Sequence, residues 1–295
     1  MLPGQGIRQD LKLLVGSVIL TGLMIGGSAV SAGPDVELVV VPGGTFVMGD
    51  AEGDANEAPK EVSVHSFQIM RTEVTNDQFA AFVDATAHLT DPERSGSGWV
   101  WTDRWRPVPE ADWRHPHGPN DELDGRGKHP VVQVSARDAA AYCTWAGLRL
   151  PSEAEWEFAA RGSNGRRYPW GDAAPESPDG ARRANFGTVP CCAPDATDGY
   201  VKTAPVGSFT SGASPYGLLG MAGNVWEWTA DAFPKQPGFV ALRGGGWATI
   251  PTVSVSATAT PIHRISASTW SASAAPPTRH HHKSNKACQA PSLAR

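Results

Sequence analysis

No aspartate or glutamate occurs from residue 248 to residue 295, and no cysteine lies between Cys192 and Cys288. Alanine, serine and threonine make up half of that acid-free stretch. A segment with so little charge and so few large apolar residues cannot bury enough surface to offset its ordering entropy. Most of 248–295 is therefore expected to be an aberrant, disordered tail. Cysteine is scarce throughout: the four are Cys143, Cys191, Cys192 and Cys288. None has C-x-x-C spacing, which excludes the common zinc frameworks. Adjacency makes a Cys191–Cys192 bridge strained, and the sequence leaves longer-range pairings open. Excess positive charge is also lacking. The net charge of -5 and the pI near 6.0 exclude a general nucleic-acid binder.

Glycine (32), proline (25) and tryptophan (11) are plentiful, which predicts a loop-rich domain with aromatic anchors. The N-terminus reads as a targeting signal over 1–32. Arg8 and Lys12 precede LLVGSVILTGLMIGG, and Val30 and Ala32 suit the positions before cleavage at Gly33. That apolar run falls short of the roughly 20 residues of a membrane anchor. Export to the periplasm or outside the cell is expected, with no stable membrane span after processing.

VELVVVPGGTFVMGD reads as a strand, a Pro-Gly-Gly turn and a second strand. Three helices announce themselves by their starts: Thr75 with Gln78, Ser135 with Asp138, and Ser152 with Glu155. Phe79, Phe82 and Val83 form one buried face, and Ala139, Tyr142, Cys143 and Ala146 another. On that second face Cys143 reads as a core thiol. SGSGWVWTDRWRPVPEADWRHPHGP reads as a long irregular aromatic loop. Within it His115 and His117 form an H-x-H that is expected to bond the loop's own backbone. His280, His281 and His282 read as a solvated tract, and Cys288 as an isolated thiol.

VPGGTFVMGD, EVTNDQFAAFVDAT, HPVVQVSARDAAAYCTWAGLRLPSEAEWEFAARG, YPWGD, TAPVGSF, YGLLGMAGNVWEWTAD and LRGGGW, in this order, resemble the sulfatase-modifying-factor family. The run with WRHPHGP is most similar to its formylglycine-generating enzymes. The likeness spans roughly 36–247, so 33–247 is expected to be the family domain, incomplete at its C-terminal end. It implies a single compact α+β domain of low regular secondary structure, related to C-type lectin-like folds. It also implies a groove for an extended peptide. The activity it implies is oxidation by O₂ of a cysteine in a sulfatase's C-x-P-x-R motif to Cα-formylglycine, with copper(I) on two active-site cysteines.

The same resemblance implies two structural calcium sites, built from the oxygen donors that hard cations require. Asn185 and Asp198 would contribute side chains to the first, with the carbonyls of Phe186 and Tyr200. Glu227 would contribute a carboxylate to the second, with the carbonyls of Gly223 and Val225. That site's remaining side-chain ligand falls at Gly220, which has no oxygen, so the second site is weakened or completed by water.

At the chemistry the chain departs from the family. Soft thiolates select copper(I), but the two cysteine positions fall at Thr249 and Ser254, and the serine of the turn is Gly246. No catalytic residue is assigned, and copper(I) is not expected to bind. Two readings follow: a formylglycine-generating homologue inactivated by a shifted frame near codon 248, or an exported non-catalytic binding module. Codon degeneracy permits the first, because Thr252–Thr260 can be back-translated so that a frame two bases on reads Cys-Gln-Arg-Gln-Arg-Tyr-Arg-Tyr. Nothing after Trp247 matches the family's returning strand, so exposed apolar surface and low stability are expected.

Overall fold

The computed structural model describes residues 35–51, 58–102, 104–187, 195–232, 240–248 and 285–291. The chain divides into two units, Met1–Ala32 and Gly33–Arg295, and all the described residues belong to the second. The expected targeting signal, Cys191, Cys192, Thr249, Ser254 and the His280–His282 tract lie outside the described residues.

Helices begin where a side chain satisfies the first free N–H groups. Before α1 (Asn76–Thr86) the Thr75 hydroxyl accepts from the Gln78 amide, and the Gln78 side chain accepts from the Thr75 N–H. The same reciprocal cap opens α2 (Asp91–Ser95) at Thr90 and Glu93, α3 (Ala136–Trp145) at Ser135 and Asp138, and α4 (Glu153–Arg161) at Ser152 and Glu155. Each cap stabilises its helix by about 1 kcal/mol. The buried face of α1 packs its aromatic rings against α3, where Phe82 meets Tyr142 edge-on at 5.8 Å and Phe79 stacks on it at 6.0 Å; Phe79 also meets Trp113 at 5.3 Å.

β1 (Leu38–Val41) and β2 (Gly44–Met48) flank the Pro-Gly-Gly turn as expected, yet they do not pair with each other. β2 pairs antiparallel with β3 (Lys60–Val64), and β1 with β4 (Phe67–Glu73). The stretch expected to be irregular contains a regular ribbon, β5 (Ser97–Trp101) antiparallel to β6 (Trp105–Pro109). Alternation in SGWVW, with Gly98 and Val100 buried on one face, is what permits it.

The main sheet runs β1-β4-β9-β7-β8, where β7 is Glu227–Ala232, β8 is Val240–Arg243 and β9 is Lys286–Pro291. β9 is central. It runs parallel to β4, with Ile69 opposite Ala287 and Glu73 opposite Gln289, and antiparallel to β7, with Trp228 opposite Ala290. Successive strand residues point to opposite faces. Accordingly Ala287 joins Trp156, Phe158, Leu218 and Met221 on one side, and Cys288 joins Phe79, Tyr142 and Trp228 on the other.

This strand corrects three expectations. Part of the acid-free tail returns to the core, so that core is not left open. The exposed large apolar residues among those described (Val40, Val47, Leu89, Trp99 and Val201) are scattered over separate segments. Cys143 is not a free core thiol and Cys288 is not isolated, because the two form a disulfide with Cα atoms 6.0 Å apart. Adjacent strands place Cys288 on the face that packs against α3, where Cys143 already points. The bridge spans 145 residues of chain, and closing so long a loop limits the unfolded state by roughly 5 kcal/mol.

Candidate functional site

The turn that leads into β7 gathers the site. A side chain at Gly223 (φ 78°) would meet the Asn185 carbonyl at 2.1 Å, so only glycine fits. Asn224 takes a left-handed conformation (φ 58°) and ties the region together. Its N–H donates to the Asn185 carbonyl (2.7 Å), its Oδ1 accepts from Ala204 (2.8 Å), and its Nδ2 donates to Glu73 Oε1 (2.9 Å).

Two wholly buried carboxylates end here, Glu73 from the last position of β4 and Glu227 from the first of β7. Glu227 Oε2 accepts from the Trp156 indole (2.9 Å), while Glu227 Oε1 and Glu73 Oε2 have no hydrogen-bond partner among the described residues. Gln289 of β9 adds a third unpartnered oxygen, Oε1. Burial pushes both carboxyls above the ordinary range, and the Glu73 charge pushes Glu227 up further. Desolvated like charges of this kind call for a cation or a proton.

Gly220 explains how Glu73 fits, since a Cβ there would lie 2.3 Å from the Glu73 carboxyl carbon. The position that lacks a ligand side chain is thus the space that a second carboxylate fills. Glu73 was missed in the sequence reading. Its only signal was an acid at a strand end whose neighbours, Ile69 and Met70, are core residues.

The other four predicted positions lie nearby. Asn185 is buried and donates to the Lys202 carbonyl (2.6 Å) and to Asn224 Oδ1 (3.2 Å). Asp198 accepts from the Tyr200 N–H (2.9 Å), and its second oxygen is buried without a partner. Burial raises the Asp198 pKa. The Phe186 carbonyl, however, accepts from Arg182 (2.9 Å), whose guanidinium also binds Asp195 (2.6 Å) and lies over the Phe186 ring. A side-chain cation therefore already serves part of this donor set. Among the described residues no group of three or more His, Cys, Asp and Glu is placed to hold a metal, so any cation must draw on carbonyl and amide oxygens.

The Arg243–Trp247 corner is braced from both sides. The Trp247 N–H donates to the Asn224 carbonyl and the Gly223 N–H to the Gly244 carbonyl, both at 2.8 Å. Arg243 is paired with Glu153 and sits 3.5 Å from Glu157, which also binds Arg161 (2.7 Å). The two cysteine sulfurs among the described residues, Cys143 and Cys288, are joined to each other. The H-x-H rings bond carboxylates and not backbone, with His115 on Asp112 (3.2 Å) and His117 on Asp121. Burial, ahead of the carboxylate's opposing effect, holds His117 below the ordinary histidine value.

These features define a loop-rich α+β domain with buried carboxylates at its hub and, among the described residues, no thiol pair at its glycine corner. The chain belongs to the sulfatase-modifying factor enzyme 1-like family, whose model matches residues 28–277. It is 44% identical over 249 residues to the formylglycine-generating enzyme of Streptomyces coelicolor, covering 71% of this chain and 78% of that protein. It is 39% identical to the inactive C-alpha-formylglycine-generating enzyme 2 of Mus musculus, over 72% and 75% of the two chains. Among solved structures it is similar to PvdO from Pseudomonas aeruginosa, with a TM-score of 0.54, 27% identity, and coverage of 73% and 84%.

Proposed function

We propose that this chain keeps the peptide-binding framework of a formylglycine-generating enzyme and does not perform the oxidation. The observation that supports this reading is the fate of its sulfur. Cys143 and Cys288 are bonded to each other, and the two positions that would carry copper-binding thiols are Thr249 and Ser254. Hydroxyl groups are hard donors and do not hold copper(I). The residues at those two positions do not fit that metal. The client class is a sulfatase-type protein or peptide carrying C-x-P-x-R, met outside the cytoplasm after removal of residues 1–32. The relation to C-type lectin-like folds belongs to the same reading.

Calcium is the cation that fits the hub. Glu227 and Glu73 would supply carboxylates, with the carbonyls of Gly223 and Val225. The first set (Asn185, Asp198, Phe186, Tyr200) would hold calcium only if Arg182 released the Phe186 carbonyl. Bound there, calcium supplies charge that lets both buried acids stay ionised, which is a structural role.

The frame-shift reading rests on the back-translation of Thr252–Thr260 and the acid-free composition of 248–295. The return of Lys286–Pro291 to the sheet counts against a shift that runs from codon 248 onward, because a second shift before codon 286 would then be needed. Incubating purified protein with a C-x-P-x-R peptide, copper(I) and O₂ tests the main reading. Peptide binding without aldehyde is the expected result, and any enzymatic aldehyde would sink it.

A further inference from the structure

Beside Trp247, and apart from the carboxylate hub, lies a second cavity of about 80 Å³. Its lining includes Asn76, His117, Leu123, Arg126, Lys202 and Trp247. The charges do not balance. One carboxylate, Asp121, is shared between the His117 ring and the Arg126 guanidinium, which reaches it at 2.6 Å. Lys202 has no hydrogen-bonded or ion-paired acceptor for its ammonium among the described residues. With His117 neutral, Arg126 and Lys202 against Asp121 leave one uncompensated positive charge. Asn76 adds the complementary feature. Its Nδ2 donates to the Arg126 carbonyl (2.8 Å), while its buried Oδ1 has no donor.

We propose that this cavity is a carboxylate subsite that takes the acidic side chain of a bound peptide. The carboxylate would meet Lys202 and the outer face of Arg126, an N–H of the ligand would donate to Asn76 Oδ1, and the aliphatic stem would lie on Trp247 and Leu123. Charge-assisted bonds of this kind are the strong ones. The space suits an acidic side chain. The peptide origin of the acid rests on the function proposed above; the preference for an anion does not.

The test uses the full mature chain and follows the Trp247 indole N–H signal by NMR, identified with Trp247→Phe. The probes are N-acetyl-aspartyl methylamide, its asparaginyl analogue and inorganic phosphate. The aspartyl compound is expected to bind at least about tenfold tighter than the amide, a difference of about 1.4 kcal/mol. Lys202→Met should abolish that preference and Lys202→Arg should keep it. Lys128→Met, at an exposed pair with Asp77, should leave it unchanged. Equal binding of acid and amide, no binding of either, tighter binding of phosphate, or an intact preference in a folded Lys202→Met protein would each overturn the subsite. A separate titration with a C-x-P-x-R peptide isolates the peptide-binding reading, whose failure would leave the acid preference measurable by itself.

Discussion

The helical segment from Thr75 to Arg161 and the centre of the main sheet are held by opposite means. In the first, every helix is opened by a cap between residues three apart in sequence. In the second, the bonds that matter join residues 145, 151 and 71 positions apart: Cys143 to Cys288, Asn224 to Glu73, and Trp156 to Glu227. Local caps form early and are individually replaceable. Long-range ties form only after most of the chain is in place, and each one removed releases a whole segment.

The largest test of this contrast is the double replacement Cys143→Ser with Cys288→Ser. Denaturant unfolding should show a loss of roughly 5 kcal/mol, and amides of β9 should lose protection from exchange. A loss below about 1 kcal/mol would mean that packing alone seats β9.

Calcium comes next. At about a hundred times its dissociation constant it should stabilise the protein by about 2.7 kcal/mol, and Glu227→Gln should remove that response. The pH dependence has a definite sign. Glu73 and Glu227 have raised folded pKa values, chiefly through burial. Their contribution is therefore present below the ordinary carboxylate range and lost as pH rises through the raised values. In chelator the protein should lose stability as pH rises above the ordinary carboxylate range, and calcium should suppress that slope. A flat profile in chelator would break the assignment.

Smaller still, Ser152→Ala should cost about 1 kcal/mol in thermal or chemical unfolding, with no change in β9 protection. Arg71→Ala should change stability by less than about 0.5 kcal/mol, because its pair with Glu37 is solvent-exposed on both sides.

The same contrast decides what could be read from the sequence. The three caps at Thr75, Ser135 and Ser152 and the faces behind them were legible, because the information lies within one helical turn. The family, and the position of Glu227 in GNVWEW, were legible as motifs. The strand KACQAP was not, since two alanines and a cysteine carry no strong alternation and its place depends on β4 and β7 already standing apart. Nor was the pairing of Cys143, which four cysteines leave open. Glu73 escaped because its role comes from Gly220, 147 positions away, and a missing side chain leaves no mark in composition. The ribbon of β5 and β6 was hidden by the aromatic crowding of its own sequence.

The middle position of β9 also orders events in time. Until residues 286–291 emerge, β1 with β4 and β7 with β8 are two separate ribbons, each presenting an unpaired edge where the last strand will lie. Joining Cys288 to Cys143 would then act as the latch that closes that centre.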